Sequence, residues 1–211
     1  MPLLPVLTRE QIAPELYDLW DQCEATAPEF RHLWGTMAHS PTIFRYIWGE
    51  LLALKRESPV AARYFELAVV TTSTLTSCIY CVSHHAPLAA QTGCDNAQID
   101  YLLNLRLEAL PETYAFPTRP GFDAVASLVI DLAYFLVWAG IYAPQQQVPP
   151  RHVYRLKHRL FTKLQEYFTP RQIEELTWRI TQCVAFNWHN DFLELDIEVG
   201  VTPLVEMLSG D

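Results

Sequence analysis

The chain has 211 residues, half of them hydrophobic and 12% aromatic, with a formal net charge of -9. That is enough apolar material to bury a sizeable core, as one domain or as two closely packed halves. The acidic balance argues against nucleic acid or an anionic membrane as partner, because both attract clustered Lys and Arg. The one scattered basic stretch, residues 151–159, reads as a solvated helix face. The opening Met1-Pro-Leu-Leu-Pro-Val-Leu7 has neither a basic leader nor an adequate apolar run, so no signal peptide is expected and a cytoplasmic address follows.

In chain order, apolar periodicity broken by prolines predicts helices near 9–24, 29–38, 41–56, 59–76, 78–92, 95–107, 120–142, 150–167, 170–188 and 188–198. Almost no stretch alternates convincingly enough to be a strand. The expected fold is therefore all-α, a helical bundle forming one domain over 1–211 with residues 1–25 as an extension. Residues 108–119 form the longest predicted loop and 143–149 a second. The first is expected to be a surface connection, with a lid over the site as the alternative. Residues 125–142 imitate a membrane span, but Asp131 would cost about 2.5–3.5 kcal/mol at a bilayer centre. A buried core helix is the better reading, one a neighbouring subunit could share, with Asp131 either paired or turned to solvent.

The chemistry concentrates between Glu66 and His85. On a helix Cys78 and Cys81 are i and i+3 neighbours, with Cα atoms about 5 Å apart, within disulfide reach. Cys81 and His85 are i and i+4, so the imidazole can take the Cys81 proton. Glu66 would reach His85 from the preceding helix and orient it. Thr74, Thr76 and Ser77 favour a helix start, so the chain is expected to break near Ser77. Cys78 would then occupy a first turn, where the dipole favours a thiolate. The base and the dipole thus favour different sulfurs. Tyr80 is expected to shape the pocket, donate a hydrogen bond or pack structurally. His84 points away from Cys81 and is expected to be a surface or loop-contacting residue.

The pattern Glu66, Cys78, Tyr80, Cys81, His85 resembles the core motif of the AhpD-like alkylhydroperoxidases within the carboxymuconolactone decarboxylase superfamily. Residues 30–54, with Met37-Ala-His-Ser-Pro41, resemble the segment preceding that family's active helix pair. Asn187-x-x-Asn190 resembles its downstream Asn-x-x-Asn-Arg element, although Asp191 stands where Arg is common. The resemblance covers about residues 25–200, most closely around the motif. It implies an all-helical, oligomeric thiol peroxidase or disulfide reductase without metal or organic cofactor. The implied catalytic set is Glu66, Cys78, Tyr80, Cys81 and His85: Glu66 and His85 take the Cys81 proton, Cys81 attacks a hydroperoxide or disulfide, and Cys78 resolves it. It further implies a thiol reductant, in related proteins a lipoylated protein, and a peroxiredoxin as acceptor. The superfamily's decarboxylases do not depend on this dithiol.

Other readings of the same residues stay open. The pair could be inert core, since free Cys packs as a small hydrophobe, or a non-catalytic redox sensor. Cys78, Cys81, His85 and Glu66 could also ligate zinc, although no second Cys-x-x-Cys exists to complete a structural site in the usual way. A carboxymuconolactone decarboxylase activity is a fourth. A thioredoxin fold wants a strand before the motif and is discounted. Five cysteines, an odd number, fit a reducing compartment with one functional pair. Cys23, Cys94 and Cys183 are expected spectators, with Cys94, after Gly93, as a more exposed candidate resolving thiol. A half-repeat relating 41–107 to 150–205 would superpose Glu66 on Glu175, Cys78 on Asn187 and Cys81 on Asn190. In that case Asn187 and Asn190 would start a helix or pack, and His189 would not be a catalyst.

Overall fold

The computed structural model describes residues 2–204 and contains no strand among them. Nine helices follow in order: α1 Tyr17–Thr26, α2 Arg31–Met37, α3 41–57, α4 Ala62–Leu75, α5 Ile79–Gln91, α6 Asn96–Leu103, α7 Ala124–Gln145, α8 Pro150–Gln165 and α9 Pro170–Phe192. The all-α architecture expected from the sequence is the one observed. Several boundaries differ, each for a local reason. Pro14 forces Ala13 into an extended conformation, so the predicted first helix is divided, with short 3-10 turns at Arg9–Gln11 and Pro14–Leu16 before α1 begins. Pro144 does not stop α7, because a wide π turn over Trp138–Tyr142 absorbs its missing N–H.

The two helices predicted over 170–198 are one. α9 runs unbroken to Phe192 and closes in a Schellman motif, with Glu194 at φ 51° and the Leu195 N–H returned to the Asn190 carbonyl. Residues after it leave the helix, and the Leu3 N–H bonds back to Leu193 O.

Two apolar clusters build the core. The larger gathers α4, α6, α7, α8 and the first half of α9, around Leu67, Leu102, Ile130, Trp138, Leu160 and Leu176. The smaller is aromatic, made by the N-terminal segment with α1, α2 and α3, and includes Trp20, Trp34, Phe44 and Trp48. Residues 1–25, expected as an extension, contribute Leu16 and Trp20 to it, both fully buried. Val82 of α5 belongs to the first cluster, whereas Cys78, Tyr80 and Cys81 belong to the second. The dithiol therefore lies on the seam between the two.

The apolar helix α7 is a core element, with 67% of its most apolar window buried inside the protein. Its acid is paired: Arg119 Nε donates to Asp131 Oδ1 at 2.9 Å, and the same guanidinium donates to the Tyr101 hydroxyl. Burial pushes the Asp131 carboxyl up to about 6, opposed by Arg119. The long loop, which spans 104–123, is clamped on the α8 side. Arg159 donates to the carbonyls of Glu112 and Tyr114, and Lys163 to that of Phe116. The basic stretch is thus only partly a solvated face, and the loop is no lid.

Asp131→Ala would strand the Arg119 charge, whose side chain is 10% exposed. Chemical denaturation should show a loss of about 3–5 kcal/mol, the usual cost of breaking a buried pair from one side. A loss below about 1 kcal/mol would mean that the pair behaves like a surface bridge.

Candidate functional site

The site is set by the link between α4 and α5. The Cys78 N–H bonds to Ser73 O at 2.9 Å and the Ser77 N–H to Thr74 O at 3.1 Å, with Ser77 at φ 58°. These are the two closing bonds of a Schellman motif, built here without glycine. Its last residue, Cys78, is at once the N-cap of α5. The break expected near Ser77 falls there, and it leaves Cys78 no freedom to slide along the helix.

At the N-cap, the Cys78 sulfur accepts the Cys81 N–H at 3.4 Å, as an Asp or Ser oxygen would. The Cys81 thiol donates to the same sulfur. That bond, with the N–H groups of Cys81 and Tyr80, outweighs burial and holds the Cys78 thiol below its ordinary value. Cys81, whose proton is committed to Cys78 and which is buried besides, is pushed well up. The helix end therefore makes Cys78 the more acidic sulfur of the pair. Cys81 has one compensating donor, Asn190 Nδ2 at 3.2 Å.

His85 points to Glu66 on α4, with Nδ1 2.8 Å from Oε2. Nδ1–H donates to the carboxylate, so Nε2 is the basic nitrogen of the neutral ring. Both side chains are nearly buried. Cys81, His85 and Glu66 line one cavity of about 190 Å³, whose walls are mostly apolar, among them Phe30, Trp48, Phe65 and Phe186. Cys78 is not in that lining. The five residues of the motif thus divide into a cavity group, Glu66, Tyr80, Cys81 and His85, and one sulfur behind it.

Tyr80 and His84 face the C-terminal segment. The Tyr80 hydroxyl donates to Glu198 Oε1 at 2.9 Å, and His84 Nε2 lies 2.6 Å from Glu198 Oε2. His84 Nδ1 lies 2.6 Å from the Tyr80 carbonyl. Both ring nitrogens therefore face acceptor oxygens, and the Glu198 carboxylate lies against the ring. His84 contacts a loop, as one of its expected roles had it, but is buried and not on the surface, because Glu198 and the Tyr80 carbonyl satisfy both of its ring nitrogens.

Asn187 and Asn190 neither start a helix nor merely pack. In the last two turns of α9, Asn187 bonds Ser73 and Thr76 at the end of α4, and Asn190 bonds the Cys81 sulfur. Their i, i+3 spacing in an otherwise apolar stripe was the available signal. Cys94 and Cys23 are buried. Cys94 is thus not the exposed thiol anticipated for it, and burial pushes Cys23 up to about 12. Cys183, expected as a spectator, faces the thiol cavity and bonds Ser73 Oγ at 3.4 Å, and burial raises its thiol too. Among the described residues no three His, Cys, Asp or Glu side chains converge as metal ligands.

Residues 41–110 match the model of the carboxymuconolactone decarboxylase family. They contain Glu66, Cys78, Tyr80, Cys81 and His85. The fold is similar to that of the debrominase Bmp8, solved as a cysteine-to-alanine variant in complex with 2,3,4-tribromopyrrole. The TM-score is 0.62 at 16% identity, covering 94% of this chain and 93% of that one. No curated protein matches the sequence. The motif-bearing segment is thus similar to the carboxymuconolactone decarboxylase family, and the chain as a whole shares the helical fold of the debrominase structure.

Burial pushes the Glu198 carboxyl up, but His84, the His32 N–H and Tyr80 outweigh it and hold it below the ordinary 4.5. A carboxylate depressed in the folded state contributes stability above its unfolded value, lost as the pH falls through the folded one. Glu198→Gln should therefore lower stability by about 1–3 kcal/mol at pH 7. The gap between variant and wild type in denaturant titrations should narrow below pH 4.5. A gap independent of pH would contradict the ion pair.

Proposed function

We propose that this protein is an enzyme, a thiol oxidoreductase that reduces hydroperoxides or disulfides with its own dithiol and no cofactor. The observation that carries this reading is the division of labour in the geometry: Cys81, His85 and Glu66 share the cavity wall while Cys78 waits at the helix end behind them. A substrate in the cavity meets Cys81. Nε2 of His85 is the nitrogen free to receive the Cys81 proton, and Glu66 stabilises the imidazolium that results.

With a hydroperoxide, the Cys81 thiolate attacks the terminal oxygen. The S–O bond forms, the O–O bond breaks, and the alkoxide takes the proton from His85 and leaves as alcohol. Cys78, already the more acidic thiol, attacks the resulting sulfenic acid, releasing water and closing the disulfide. With a disulfide substrate the first step is thiol exchange at Cys81, and Cys78 again resolves it. A thiol reductant, of the kind a lipoylated protein presents, restores both thiols by two exchanges, and a peroxiredoxin disulfide is a fitting acceptor. The exposed Tyr46, Trp188 and Phe192 are consistent with a homo-oligomer, and thiols that must be re-reduced suit the cytoplasm.

A second reading rests on cavity size. An apolar space of about 150 Å³ accepts a benzene ring, so 190 Å³ beside a dithiol suits a halogenated ring. Two thiols would then supply two electrons, giving the dehalogenated ring, halide, a proton and the disulfide. The debrominase neighbour motivates testing it.

After a pulse of cumene hydroperoxide, mass analysis of wild type should show one Cys78–Cys81 disulfide. Cys78→Ser should trap sulfenic acid at Cys81, and Cys81→Ser should trap none. His85→Asn should slow turnover with dihydrolipoamide by about 10²-fold or more. Sulfenic acid confined to Cys78 would reverse the roles. Bromide release from tribromopyrrole without peroxide turnover would select the second reading.

A further inference from the structure

Arg179 lines the thiol cavity from α9, four residues before Cys183, with which it shares a helix face. Its charge is felt at the Cys183 sulfur. Yet Arg179 takes part in none of the ion pairs among the described residues. Its Nη1 is shut off from solvent without a hydrogen-bond partner. A guanidinium nitrogen left in that state is costly unless something else satisfies it.

Three of the nearby acids are held by other groups. Glu175, one turn away and the natural i−4 partner, bonds Arg171 and Ser58. Glu50 accepts from Trp178 and Gln182 on the same helix. Glu66 is held by His85. Glu29, the remaining acid in the cavity lining, is in none of the ion pairs among the described residues and so does not neutralise Arg179. Lys55, the second cation of the lining, donates instead to the Thr26 carbonyl.

We infer that Arg179 is the anion-recognition residue of the thiol cavity, which selects substrates with an apolar, single-ring-sized body and a carboxylate. This rests on the dithiol reading for the reaction but not for the binding. The apolar walls take the body, Arg179 offers its planar fork to the carboxylate, and the reducible group is left facing Cys81.

The probes are 4-isopropylbenzoate and its neutral counterpart 4-isopropylbenzyl alcohol, titrated calorimetrically against reduced wild type, Arg179→Met and Arg179→Lys. Wild type should bind the carboxylate at least about tenfold more tightly than the alcohol, as a charge-assisted hydrogen bond allows. Arg179→Met should lose that preference and Arg179→Lys keep part of it. Because each preference is a ratio within one protein, a fall in folded fraction cancels. The same comparison in turnover uses cumene hydroperoxide and its 4-carboxylate. Equal preference in wild type and Arg179→Met, or none in wild type, overturns the assignment even if peroxide is turned over. Charge-selective binding without turnover of either peroxide supports the assignment and instead overturns the peroxidase reading.

Discussion

The placement of Cys78 is the constraint on which the site depends. One residue closes α4 and opens α5, and the left-handed turn at Ser77 that allows this is paid for by the Schellman bonds and by the buried packing of both helices. The sulfur then sits where the first free N–H groups of α5 converge. A helix end favours an anion, and the second thiol one turn later donates into the same place. The acidity of Cys78 and the reluctance of Cys81 are two aspects of one hydrogen bond.

The surrounding structure isolates that bond from water without blocking the route to it. Cys78, Tyr80 and Cys81 lie where the large helical core meets the smaller aromatic one. A seam between two packed clusters offers both burial and an opening, and the cavity beside Cys81 is that opening. Two distant segments complete it: α9 contributes Asn190 to the sulfur, and the chain beyond α9 brings Glu198 to Tyr80 and His84. The His85–Glu66 pair faces the cavity, while the His84–Glu198 pair fastens the adjoining face of α5.

Much of this was legible in the residues because it is local. The break at Ser77, the i, i+3 cysteines and the reach of Glu66 from the preceding helix all follow from helical spacing. The all-α fold followed from prolines and periodicity. What escaped was carried by contacts between residues far apart in the chain. Nothing in the surroundings of His84 announces Glu198, so an imidazole off the Cys81–His85 face reads as surface. The end of α9 was misplaced because Glu194 closes it in a left-handed conformation that glycine more often marks. The competition between the sulfurs was visible, but its outcome required the cap geometry.

The most direct test is thiolate absorbance titration of reduced wild type, Cys78→Ser and Cys81→Ser. The account requires one thiol ionising below the ordinary 9.0 in wild type, a signal that persists in Cys81→Ser and disappears in Cys78→Ser. A low-pH thiolate that survives removal of Cys78 and vanishes with Cys81 would contradict it, and would make the sulfur beside the cavity the more acidic one.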